Sequence, residues 1–140
     1  MTTITSLLKA IAAQLEEQQP SDALRKWMIR GEIPSEEVDE NKTLIAVLHL
    51  NSQEEVVKFN YTFRLNCSLT GQILINEMGQ SELIDEAHKI WVTLNEYLRT
   101  LQMKSIEDTI VLQAVAHGVE TSIDGYYVNF SVPIEIYAQF

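Results

Sequence analysis

The sequence predicts an α+β domain: a mostly antiparallel sheet of about four strands, made of two long hairpins and packed by helices, in the order α-α-β-β-α-β-β. Three observations predict it. Two segments, VVKFNYTFRLNCSL (56–69) and YYVNFSVPIEIYAQF (126–140), alternate apolar and polar with the period of two of a half-buried strand. Two others, near the N-terminus and from Ser81 onward, space apolar residues three and four apart, as an amphipathic helix does. Two hairpins separated by a helix then favour an α+β layer arrangement.

Taken in order, Ile4, Leu7, Leu8, Ile11 and Leu15 mark one face of a helix over about 3–18, with Thr2, Thr3 or Thr5 as N-cap. Pro20 interrupts it. SDALRKWMIR (21–30) predicts a short second helix, capped by Ser21 and ended by Gly31 and Pro34. EIPSEEVDE follows, an acidic stretch within 31–42 that reads most simply as a solvated loop. TLIAVLHL (43–50) is an apolar run of strand length, NSQEE predicts the turn, and 56–69 the returning strand. TGQILINEMG (70–79) carries no clear period. Leu83, Ala87, Ile90, Leu94, Tyr97 and Leu101 make the stripe of a long helix, with Asp85 and Lys89 spaced for an i,i+4 pair. TIVLQAVAHGVETSI (109–123) predicts a strand bent at Gly118, and Asp124-Gly125 a hairpin turn into the terminal strand.

That terminal strand is long. Thirteen residues reach roughly 43 Å, against a diameter of roughly 37 Å for a compact chain of this size. Pro133 lacks a ladder donor, which places the strand at a sheet edge or at a bulge. Tyr127 and Tyr137 stand on its polar side among Asn129, Ser131, Glu135 and Gln139, and tyrosines on a polar face suit an interface. Tyr127, Asn129, Ser131, Tyr137 and Phe140 are therefore candidate subunit or partner contacts, and Trp27 and Met28 form a second candidate patch. A fold in which these tyrosines lie under a helix or loop of the same chain is the competing expectation.

With 140 residues, 46% of them hydrophobic and 21% charged, the chain suits one globular domain. No apolar run approaches the ~20 residues of a membrane span, and the N-terminal stretch has no basic region of the kind that opens a signal peptide. Cys67 is the single cysteine, so no internal disulfide is expected, and its place on the apolar side of a strand suits an inert thiol. A net charge of −10 disfavours nucleic-acid recognition and anionic membranes.

Chemistry is sparse. His49, His88 and His117 fall in no metal-ligand spacing, and no phosphate-cradling glycine loop or nucleophile elbow is present. The adjacent acids Glu16-Glu17, Glu36-Glu37 and Glu54-Glu55 lie in polar stretches, and neighbours on a helix or loop point different ways, so they read as structural rather than acid–base pairs. The expectation is a protein that is not an enzyme and uses neither cofactor nor metal.

In organisation the chain resembles the tail-terminator (tail completion) proteins of long-tailed bacteriophages. TLIAVLHL with VVKFNYTFRLNCSL, the helix ELIDEAHKIWVTLNEYLRTL and DGYYVNFSVPIEIYAQF carry the likeness, which spans most of residues 1–140. Residues 20–42 have no counterpart in it, and no catalytic or binding motif transfers. The resemblance implies a homo-oligomeric ring, typically a hexamer, capping the head-proximal end of the tail tube, with the tail tube protein and a head-completion or neck protein as partners. DNA would pass through without specific binding, and Glu32, Glu36, Glu37, Asp39 and Glu40 are candidates for an acidic lumen or a partner-facing loop. The rival readings are another phage neck or head–tail joining protein, another assembly adaptor, a dimeric acidic chaperone of the type III secretion kind, and an enzyme.

Overall fold

The computed structural model describes residues 3–18, 27–30, 44–57, 61–73, 80–124 and 127–140. Among the described residues, two helices, α1 (Ile4–Glu16) and α2 (Gln80–Thr100), accompany seven strands: β1 (Trp27–Arg30), β2 (Leu44–Val57), β3 (Thr62–Ile73), β4 (Lys104–Ile106), β5 (Thr109–Ala116), β6 (Glu120–Asp124) and β7 (Tyr127–Gln139). All seven belong to one sheet with the order β1-β2-β3-β7-β5-β4, and β6 pairs with β7 beyond the end of β5. Every pairing is antiparallel except β1 with β2. The expected four strands and the order α-α-β-β-α-β-β are thus corrected.

α1 begins where its capping chemistry dictates. Thr3 accepts from the Ser6 backbone N–H, and the Ser6 hydroxyl accepts in turn from the Thr3 N–H. Leu7, Leu8, Ile11, Ala12 and Leu15 are buried, in keeping with the predicted stripe. α2 buries Leu83, Ala87, Ile90, Leu94, Tyr97 and Leu98. The expected Asp85–Lys89 pair is replaced by Lys89 with Glu86, 2.9 Å apart, because Glu86 lies against the core and offers the nearer carboxylate. Tyr97 donates to Gln14 Oε1 at 2.5 Å and so joins the two helices.

The predicted second helix does not form over its last four residues, which are strand β1; residues 19–26 lie outside the described residues. Trp27 and Ile29 favour strands, and a ten-residue helix is marginal by itself, whereas the edge of β2 supplies ladder partners. The NSQEE turn is also corrected. β2 runs straight through it to Val57, with register shifts at Leu50/Ser52 and Glu55/Val57, and its pairing with β3 closes only at Val57 and Thr62. Asn51 to Val56 are all exposed, so this half of the strand has no buried face to demand apolar residues. Asp124 pairs with Tyr127, so the last hairpin connection falls at 125–126, one residue beyond the predicted turn and outside the described residues.

β7 lies inside the sheet. β3 pairs with it from Val128 to Gln139, while on its other side β6 takes its first half and β5 its second. Pro133 falls where those two strands break. The His117 N–H donates to the Pro133 carbonyl at 2.8 Å, so the imide nitrogen of Pro133, on the same side of its strand, also faces the 117–119 gap. No ladder donor is lost there, and an interior position is open to proline. Gly118 sits in this gap in open space. Val128, Phe130, Val132, Ile134, Ile136 and Ala138 are buried together with Leu65, Cys67 and Leu69 of β3, and join both helices in one hydrophobic core. The helices therefore share one face of the sheet.

Candidate functional site

The opposite face of the sheet carries the other half of each alternating strand. Arg64, Asn66, Ser68 and Thr70 of β3 stand across from Tyr137, Glu135, Pro133 and Ser131 of β7. All but the exposed Pro133 are half-buried, as side chains on a broad open sheet are, and among the described residues no helix covers them. Side-chain bonds tie the rows together. Asn51 donates to the Ser68 hydroxyl at 2.6 Å, and Asn66 to that of Ser52 at 3.0 Å. Arg64 pairs with Glu54 across β2 and β3 and hydrogen-bonds Tyr137 on β7. The Tyr137 bond first, and the Glu54 charge second, push the guanidinium further up from its already high range. Near the β5–β6 break, His117 Nε2 lies 3.5 Å from Glu135 Oε1. On the helix side of that break the Trp91 indole donates to the His117 carbonyl at 2.5 Å and stacks on His88.

The predicted interface residues are therefore dispersed. Asn129, Ser131 and Tyr137 lie in the half-buried row of β7. Phe140 is anchored instead: its N–H donates to the Tyr61 carbonyl at 3.0 Å and its ring meets Phe63 edge-on. Tyr127 opens β7, and Trp27 and Met28 belong to β1 at the far side of the sheet. Glu32, Glu36, Glu37, Asp39 and Glu40 lie outside the described residues. The long terminal strand offers no free edge to a partner, since both its sides are taken within its own sheet.

Of the Arg64–Tyr137–Glu54 group only Tyr137 was among the sequence-based site candidates. Its three residues sit on polar faces of alternating strands, and only the β3–β7 pairing, which no local turn announces, sets Arg64 opposite Tyr137. The histidines remain apart, His49 on β2, His88 on α2 and His117 in the β5–β6 gap. Among the described residues, no group of three or more histidines, cysteines or acids is placed to hold a metal ion. Burial pushes the Cys67 thiol up to about 12, far from the range of a reactive thiolate. An apolar hollow of about 150 Å³ lies between α1 and β2, lined by Ile4, Thr5, Leu8, Lys9 and Leu48 to Leu50. The face that remains is broad and polar, with hydroxyls, amides and alternating charges, which suits contact with a surface more than the closing of a small ligand in a pocket. No family model and no curated protein matches the chain.

Proposed function

We propose that the protein is a structural component of a long-tailed phage or prophage particle. It caps the head-proximal end of the tail tube as a homo-oligomeric ring, stops tube polymerisation and presents the surface to which the filled head attaches. The observation that carries this reading is the two-sided sheet. One face is sealed by α1 and α2, while the other is a wide polar surface crossing β2, β3, β7 and β5. In a ring, the bulkier helix layer takes the larger outer circumference and the bare sheet turns toward the lumen. A lumen of serine, threonine and asparagine side chains, in which the charge of Arg64 is answered by Glu54, on a subunit of net charge −10, lets DNA slide past without holding it. Ring formation also needs a heterologous interface that closes on itself.

The test is solution mass by light scattering over a concentration series, with negative-stain images of the same sample and of the sample mixed with tail tubes. Rings of about six subunits, seated on one end of the tubes, are the expected result. A strict dimer at every concentration moves the reading to a chaperone that grips an extended client segment. Binding along the tube wall, with no preference for an end, overturns the terminator role.

A further inference from the structure

We infer that the copies of this chain join edge to edge, strand β6 of one copy pairing with strand β1 of the next to make one continuous sheet around the ring. The inference rests on the ring reading above and names its interface. It starts from the register. Trp27 stands beside Leu44, Leu44 beside Ile73, Ile73 beside Val128 and Val128 beside Ile123. Three rows further along the strands, Arg30, Val47, Thr70, Ser131 and Glu120 form the same kind of line. β1 and β6 thus occupy the same level on opposite sides of a five-strand band, and among the described residues neither has a strand on its outer side.

Their directions fit as well. β1 runs with β2 and β7, and β6 runs against β7. A rotation axis along the strands keeps every strand direction and keeps the helices of all copies on one side. It therefore presents β1 to the neighbouring β6 in antiparallel sense, with no shift along the strands. That register sets Trp27 opposite Ile123, Met28 opposite Ser122, Ile29 opposite Thr121 and Arg30 opposite Glu120 of the next copy. WMIR meets ETSI as two short strands with Arg30 at the level of Glu120 and uncharged residues along the rest.

Three other stretches of edge lack an outer strand among the described residues: the outer half of β2, β4, and residues 112–116 of β5, which begin at the register shift between Val111 and Gln113. The outer half of β2 is flanked by register shifts at both ends and carries Glu54 and Glu55, while β4 is only three residues long. β6 has neither bulge nor proline nor lysine, and its Ile123 is 45% exposed, a large apolar side chain on a polar strand. A partner strand in this register covers the exposed Ile123 and occupies an edge that nothing on β6 guards.

The experiment reverses the charges. Glu120→Arg and Arg30→Glu are made separately, combined in one chain, and mixed as two singly substituted proteins, with ring formation read by sedimentation velocity and negative stain. Each single variant places like charges across every interface and should raise the concentration needed for assembly by about tenfold or more. The double variant, and equally the one-to-one mixture, restores opposite charges at every junction and should restore rings, the mixture as alternating rings. Rescue by mixing also shows that each single variant is folded. Single variants that assemble like the unaltered chain, or a loss that neither combination rescues, overturn the β6–β1 junction and leave the ring standing. An unaltered chain that stays monomeric at all concentrations overturns the ring reading and the junction with it.

Discussion

At the scale of single residues, two buried side-chain polar atoms have no hydrogen-bond partner among the described residues, Arg64 Nε and the Thr109 hydroxyl. Thr109 opens β5 fully buried, and among the described residues its hydroxyl has no hydrogen-bond partner. A buried hydroxyl without a partner forfeits about 1–3 kcal/mol of hydration. Thr109→Val keeps the β-branched shape, which suits a strand, and replaces the hydroxyl by a methyl group. The expected result is a gain of about 1 kcal/mol in urea-unfolding stability with an unchanged m-value. A loss of stability would show that the hydroxyl is satisfied in solution. Cys67 and Tyr97 belong to the same scale: burial holds each proton on to about 12, and for Tyr97 the neighbouring Glu17 adds to the effect. Both groups are neutral and silent in ordinary buffers.

At the scale of elements, α2 ends in a turn that its sequence does not favour. Its last residue is Thr100, and Met103, in the turn that leads to β4, has φ 59° with its side chain 67% exposed. A left-handed residue just past a helix is ordinarily glycine, because a Cβ there meets the following carbonyl. Met103→Gly should therefore raise the melting temperature by about 4 °C, corresponding to about 1 kcal/mol, read by calorimetry. Such turns explain what the sequence disclosed and what it hid. α1, α2, β5 and β7 were legible because each keeps one buried stripe over many residues, so period alone reveals it. β1 was not, since four residues hold no period and take their form from the neighbouring edge of β2. The outer half of β2 read as a turn because, exposed on both faces, it uses the polar residues a turn would use. The β3–β7 pairing, and with it the Arg64–Tyr137 contact, joins segments more than fifty residues apart that no local signal connects.

At the scale of the whole molecule, the length of the terminal strand has an explanation inside the chain. β7 is the axis of the sheet, with β3 along one side and β6 and β5 sharing the other, and its even residues form the floor beneath both helices. Truncation after Pro133 therefore tests folding before it tests assembly. It removes Ile134, Ile136 and Ala138 from the core and Phe140 from its packing on Phe63. It also strips β5 of its ladder with β7 and leaves Thr62 to Cys67 of β3 unpaired on that side. Each buried isoleucine lost costs about 2–5 kcal/mol, and a domain of this kind holds only about 5–15 kcal/mol of net stability. Two isoleucines, the whole β5–β7 ladder and half of the β3–β7 ladder consume most of that margin. The expected outcome is a chain without a cooperative urea transition and without near-ultraviolet dichroism, whatever helix its far-ultraviolet spectrum keeps. Retention of a sharp transition would mean that β7 can be replaced as the centre of the sheet. The charge reversals at Glu120 and Arg30 act at the outer edges and spare this axis, so they separate assembly from folding where truncation cannot.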